Sequence, residues 1–136
     1  MEKAEELSRS GVALENIWIR FHGTEEMDRF LEETGAAADC LVIRTPPIDA
    51  EVLAKDADKG TALAKLASYL GVQPSDIFAA GDGISDIPML AFAGCGAAMA
   101  NADEAVKAAA SFQAPSNNEN GFAQALNAWL DSRGET

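Results

Sequence analysis

The chain has 136 residues, enough for one domain or for one core with a small appendage. Hydrophobic residues make up 48% and charged residues 24%, the composition of a globular protein that buries a real core. Ten Lys and Arg against 22 Asp and Glu give a formal net charge of −12, which argues against nonspecific nucleic-acid or anionic-membrane binding, and 7% aromatics argue against a base-stacking platform.

Residues 1–10 are charged and lack the apolar centre of a signal peptide; they read as a short polar helix stopped by Gly11. No apolar run approaches the roughly 20 residues of a membrane span. Cys40 and Cys95 are too few and too far apart for a disulfide framework or a zinc cluster. The expectation is a reduced, cytoplasmic protein with two free thiols.

Residues 16–22 alternate Ile17, Ile19 and Phe21 on one face and predict a strand. Thr24 is placed to cap a helix whose first turn holds Glu25, Glu26 and Asp28, where the helix dipole favours anions. Met27, Phe30 and Leu31 form its apolar face, and Gly35 ends it. Residues 40–45 predict a strand stopped by Pro46-Pro47, and residues 48–55 a returning partner strand. Residues 16–55 therefore read β-α-β-β.

Residues 1–58 carry 14 acidic and 6 basic side chains, the remainder 8 and 4 with more Ala and Gly, so a boundary is expected near Asp58. Beyond it, Leu63, Leu66, Ala67 and Leu70 have helical spacing and Gly71 follows as a stop. Residues 77–80 form a short apolar strand running into Gly81-Asp82-Gly83. Ser85 or Asp86 caps the next helix, with Pro88 in its first turn. Residues 96–100 predict another strand, and Asn101 with Glu104 resembles a capping arrangement before a helix over 105–110. Residues 111–114 predict a last strand, and Phe122, Leu126, Trp129 and Leu130 the stripe of a C-terminal helix. Such alternation implies a parallel sheet covered by helices.

Asp82 and Asp86 stand four residues apart at a strand-to-helix junction, the end of an α/β sheet where ligands bind. Magnesium takes hard oxygen ligands and keeps several waters, so one or two carboxylates beside a phosphate suffice. A helix N-terminus adds amide donors for an anion. This is a candidate site for magnesium plus phosphate; ordinary turn and cap roles account for the two aspartates equally well. Lys59 opens a helix, where a cation is unfavourable for the dipole, so a phosphate or carboxylate is its expected partner, against the usual fate of a solvated lysine. His22, Trp18 and Trp129 read as bystanders or packing residues, Cys95 as a small filler, and residues 25–33 as a solvated acidic face.

Residues 59–126 resemble the C-terminal half of the haloacid dehalogenase superfamily, in its Cof-type and sucrose-phosphatase-like branch. The resemblance rests on Lys59-Gly60, Leu70-Gly71-Val72, Gly81-Asp82-Gly83, Asp86, Met89-Leu90 and Ala93-Gly94. It continues through Gly96, Ala98-Met99, Asn101-Ala102, Val106-Lys107, Ser116-Asn117 and Gly121-Phe122-Ala123. Residues 16–55 are similar to the last part of that branch's cap domain. The resemblance implies an α/β fold: a partial Rossmann-like core, a parallel sheet with flanking helices, over 57–136, plus a small β-α-β-β cap remnant over 16–56 after a lead-in over 1–15.

It also implies a Mg²⁺-dependent phosphatase of small phosphorylated metabolites, with weak Mg²⁺ binding here. By position, Lys59 looks like the catalytic lysine that neutralises the phosphoryl group, Lys59, Ser85 and Asn117 the phosphate-binding residues, and Asp82 and Asp86 the metal-site carboxylates. Ser85 departs from the family's usual Asn, though a hydroxyl also donates. The family's Asp-x-Asp-Gly-Thr nucleophile motif does not occur in the sequence; the segment from Asp56 to Thr61 is a look-alike with one residue too many. The expectation is a chain that lacks the N-terminal half and is inactive alone. Its alternatives are a non-catalytic assembly module and one half of a two-chain phosphatase. The strand over 77–80 is expected to have an open edge that recruits a second copy or a separate N-terminal-half chain.

Overall fold

The computed structural model describes residues 16–35 and 40–134, so the helix expected over residues 1–10 lies outside the described residues. The chain divides into two compact units, residues 1–57 and 58–136.

In the first unit β1 (Asn16–Arg20), α1 (Thr24–Gly35), β2 (Cys40–Thr45) and β3 (Asp49–Ala54) follow one another. The sheet is antiparallel with order β1-β3-β2, so the returning strand is central and pairs on both sides. The predicted alternation turns Ile19 and Phe21 inward. Phe21, Met27 and Ala50 are buried, with Phe30, Leu31 and Val42 packed around them. Across β1 and β3, Arg20 grips the buried Asp49 through two hydrogen bonds, Nε at 2.8 Å and Nη2 at 3.1 Å.

The second unit runs α2 (Lys59–Leu70), β4 (Phe78–Gly81), α3 (Ile87–Phe92), β5 (Cys95–Met99), α4 (Glu104–Ala109), β6 (Phe112–Ala114) and α5 (Gly121–Arg133). Its three strands are parallel, in the order β4-β5-β6. Alternate residues of the strands enter two separate clusters. Ala79 and Ala98 meet Leu90 of α3 and Val106 of α4 on one face. Ala97, Met99 and Ala114, with Phe78 and Ala80, meet Ala125 of α5 on the other. A parallel sheet covered on both faces follows from the short, unbroken apolar runs.

The small residues set how closely the layers approach. A Cβ at Gly96 would lie 2.1 Å from the Leu90 carbonyl oxygen, so β5 and α3 touch backbone to backbone. Gly71 ends α2 with φ of 70°, a left-handed value that glycine adopts without a Cβ penalty.

Two features differ from the sequence pattern. Of the α2 stripe only Ala67 is buried; Leu66 and Leu70 are more than half exposed and Tyr69 is 86% exposed. The helix packs mainly on α3. The N-cap position of α4 is Asp103 rather than Asn101, whose side chain bonds to Asp82 and to the Asn117 backbone instead. Among the described residues no helix is long and apolar enough to cross a membrane.

Candidate functional site

Three parallel strands deliver three loops to one rim of the second unit. β4 ends at Gly81 and is followed by Asp82, β5 ends at Met99 and is followed two residues on by Asn101, and β6 leads through Pro115 to Asn117. This carboxyl-end rim is where open α/β sheets bind ligands. The N-terminus of α2 adds Lys59.

Asp86 is the anchor. It is buried in the tight turn Ile84–Asp86 that leads into α3. Its Oδ1 accepts from Lys59 Nζ at 2.5 Å. Its Oδ2 accepts the backbone N–H of Asp82 at 3.1 Å and of Gly83 at 3.0 Å. Burial pushes its carboxyl pKa up; the Lys59 hydrogen bond, the Gly83 amide, the lysine charge and the Asp82 amide outweigh this and hold it below the ordinary value. Gly81 is required by this packing, since a Cβ there would lie 2.5 Å from the Asp86 Cβ. The lysine at a helix N-terminus thus has a carboxylate partner, while its side chain stays 55% exposed.

Asp82 is the outward carboxylate. It is exposed, and its Oδ2 accepts from Asn101 Nδ2 at 3.0 Å. Asn101 Oδ1 in turn accepts the backbone N–H of Asn117 at 3.3 Å. Ser85 sits half-buried in the turn beside Asp86, and Asn117 is exposed at the start of the tight turn Asn117–Glu119. Lys59, Asp82, Ser85 and Asp86 are therefore brought together, and Asn117 is tied to Asp82 through Asn101.

The residue pattern marks Asn101 as a capping residue and as part of the family resemblance, not as a site residue. Its i, i+3 relation to Glu104 imitates a helix cap, whereas its place just after a predicted parallel strand is the signal that could have put it on the rim. The look-alike around Asp56 resolves differently. Asp58 is the N-cap of α2, accepting from Thr61 N at 2.9 Å and Thr61 Oγ1 at 2.7 Å. Both oxygens are engaged in capping, and these bonds lower its pKa. His22 is fully surface-lying, 3.3 Å from Glu26, in the other unit.

The family model for haloacid dehalogenase-like hydrolases matches residues 5–126. The chain belongs to this family. Among its relatives, 5-amino-6-(5-phospho-D-ribitylamino)uracil phosphatase YcsE of Bacillus subtilis is 34% identical over 117 residues, 83% of this chain and 47% of the relative. Phosphoglycolate phosphatase of Methanopyrus kandleri is 36% identical over 107 residues, 79% of this chain and 46% of the relative. A crystallised haloalkanoate-superfamily phosphatase from Bacteroides thetaiotaomicron superposes with a TM-score of 0.77 at 31% identity, covering 93% of this chain and 45% of that one. The chain thus spans about half the length of these relatives.

A magnesium ion is the metal the haloacid dehalogenase family implies. Among the described residues no group of three or more His, Cys, Asp or Glu could hold a metal. Asp86 already accepts from Lys59 and two amides and is buried, whereas Asp82 is exposed on the rim, so Asp82 is the carboxylate that would face a cation, with Asp86 behind it. One hard oxygen ligand, with the rest of the shell from water and phosphate, is a donor set magnesium accepts.

Proposed function

We propose that this chain supplies the lysine-and-carboxylate half of a Mg²⁺-dependent centre that hydrolyses small phosphorylated metabolites. The observation that carries the reading is the Lys59–Asp86 pair held at the rim beside the exposed Asp82. Lys59 is oriented by Asp86 yet half exposed, so its ammonium is free to meet a phosphoryl oxygen on its outer side. Ser85 and Asn117 lie on the same rim and add polar groups for the phosphate. Asp82 would hold the cation, and Asp86 supports the arrangement by fixing Lys59 and the Asp82-Gly83 backbone. Bound there, Mg²⁺ supplies charge neutralisation for the phosphoryl oxygens.

The attacking carboxylate of this reaction is not encoded in a recognisable motif here, and Asp58 is committed to its helix cap. The chain alone is therefore inactive towards phosphate esters, and a separate segment carrying the nucleophile completes it. Titration calorimetry with Mg²⁺ and inorganic phosphate tests the half-site. Millimolar binding that disappears in Asp82→Ala and Lys59→Ala is the expected result; no binding by the unaltered chain overturns the reading. Hydrolysis of p-nitrophenyl phosphate by the chain alone, abolished by Asp56→Asn, would overturn the claim of inactivity.

A second reading, an assembly module that kept the fold and lost the chemistry, is favoured by one observation. Among the described residues β4 lies at the edge of its sheet although both of its faces are covered. Both readings call for a partner at that edge.

A further inference from the structure

We infer that Asn101 is a positioning residue: its amide holds the Asp82 carboxylate ready for a divalent cation and couples that carboxylate to the loop of Asn117. The inference rests on the half-site reading above and adds a residue and a coupling to it.

The Asn101 amide is engaged at both ends. Nδ2 donates to Asp82 Oδ2 at 3.0 Å, and Oδ1 accepts from Asn117 N at 3.3 Å. An ionised carboxylate only accepts and a backbone N–H only donates, so the amide has one orientation that satisfies both. The reversed amide would set oxygen against carboxylate and NH₂ against N–H. Asn101 therefore reads both neighbours at once and joins the loops that follow all three parallel strands.

The chemistry of the donor matters as much as its place. Asp86 is paired with a lysine, and its charge is neutralised. Among the described residues Asp82 has no such ion pair; its partner is a neutral amide. A neutral donor restricts the carboxylate's rotation while leaving its negative charge to attract a cation, and one oxygen outside the amide contact. A lysine at position 101 would orient Asp82 equally well and repel the metal. Hydrogen-bonded carboxylate ligands are the common arrangement around bound metals, and loss of the outer partner costs about 10- to 100-fold in affinity.

The coupling has a direct consequence. A cation that pulls on Asp82 also pulls on the amide and so on the Asn117 N–H. The loop bearing the expected phosphate ligand is thus informed of occupancy at the carboxylate.

The test uses the full chain labelled with ¹⁵N and titrated with MgCl₂, following the backbone amides of Gly83 and Asn117. Both resonances are expected to shift in the unaltered chain with one shared Kd. In Asn101→Ala the Kd read at Gly83 rises about tenfold, and the Asn117 shift is lost even at saturation. Asn101→Leu, close in size and without a donor, behaves the same way and serves if the alanine variant does not fold. Unchanged affinity with an intact Asn117 shift in either variant, while Asp82→Ala abolishes binding, overturns the role of Asn101 alone. Absence of any Mg²⁺-dependent shift in the unaltered chain overturns the half-site reading and this inference with it.

Discussion

A buried aspartate is costly unless its charge is met, and Asp86 is met three times over: by Lys59 and by the N–H groups of Asp82 and Gly83. Its folded-state pKa lies below the ordinary 3.8. The group is therefore ionised in both the folded and the unfolded chain at neutral pH. Its contribution to stability is fully present above pH 3.8 and is lost as pH falls through the lower, folded-state value. Other carboxylates, Asp49 and Asp58 among them, are also lowered, so the acid limb of the wild-type curve is a composite. Asp86→Asn isolates one component. Urea unfolding followed from pH 7 down to pH 2.5 should give a variant about 1–3 kcal/mol less stable at pH 7, because charge-assisted bonds to a buried acceptor are lost. The gap between the two proteins should narrow below pH 3.8. A constant gap across the range would mean that the Asp86 charge does not stabilise the fold.

At the scale of elements, the closeness of α3 to β5 decides whether the rim keeps its geometry. The two backbones meet at Gly96, where a Cβ would be 2.1 Å from the Leu90 carbonyl oxygen and 2.7 Å from its carbonyl carbon. No rotamer change relieves a clash with backbone, so Gly96→Ala must push α3 off the strand. The expected cost is about 1–3 kcal/mol by urea unfolding. Leu90→Ala, which empties a fully buried position of the same contact, should cost about 2–5 kcal/mol. Because α3 begins directly after Asp86, the glycine variant should also weaken Mg²⁺ and phosphate binding, whereas a variant with unchanged stability would show that the contact yields easily. These elements were legible in the sequence for local reasons. Period-two alternation marked β1, glycine marked the end of α2, and short apolar runs before Gly81 and Asn101 marked β4 and β5. The Asp82–Asp86 spacing likewise marked the candidate site, whose two aspartates the fold brings together. What was hidden depends on contacts across the chain. The α2 stripe looked like a core face, but burial is set by what lies opposite, and Leu66, Tyr69 and Leu70 face outward. Asn101 passed for a helix cap, because an i, i+3 pair says nothing of a carboxylate 19 residues earlier in sequence.

On the scale of the whole molecule, the open side of β4 is the feature that local packing leaves unresolved. Phe78 and Ala80 are covered on one face and Ala79 on the other, as in the interior of a parallel sheet rather than at its margin. The Ile77 carbonyl accepts from Cys95 N at 3.1 Å. Backbone groups alternate sides along a strand, so those of Phe78 and Ala80 point away from β5, toward the edge. Leu66, Tyr69 and Leu70 of α2 are further exposed apolar surface in the same unit. Among the described residues no strand pairs with that side of β4, and N–H and C=O groups left without a ladder recruit another strand. Self-association is therefore expected at tens of micromolar when no other partner is supplied, read as a light-scattering mass above that of one chain. Ala80→Pro removes one outward N–H and leaves the ladder to β5 in place, since proline is tolerated where the missing donor faces outward on an edge. That variant should be monomeric with an unchanged far-UV circular dichroism spectrum. A wild-type chain that stays monomeric at these concentrations would show that the edge is closed by other means. An oligomer that survives Ala80→Pro would place the contact elsewhere on the surface.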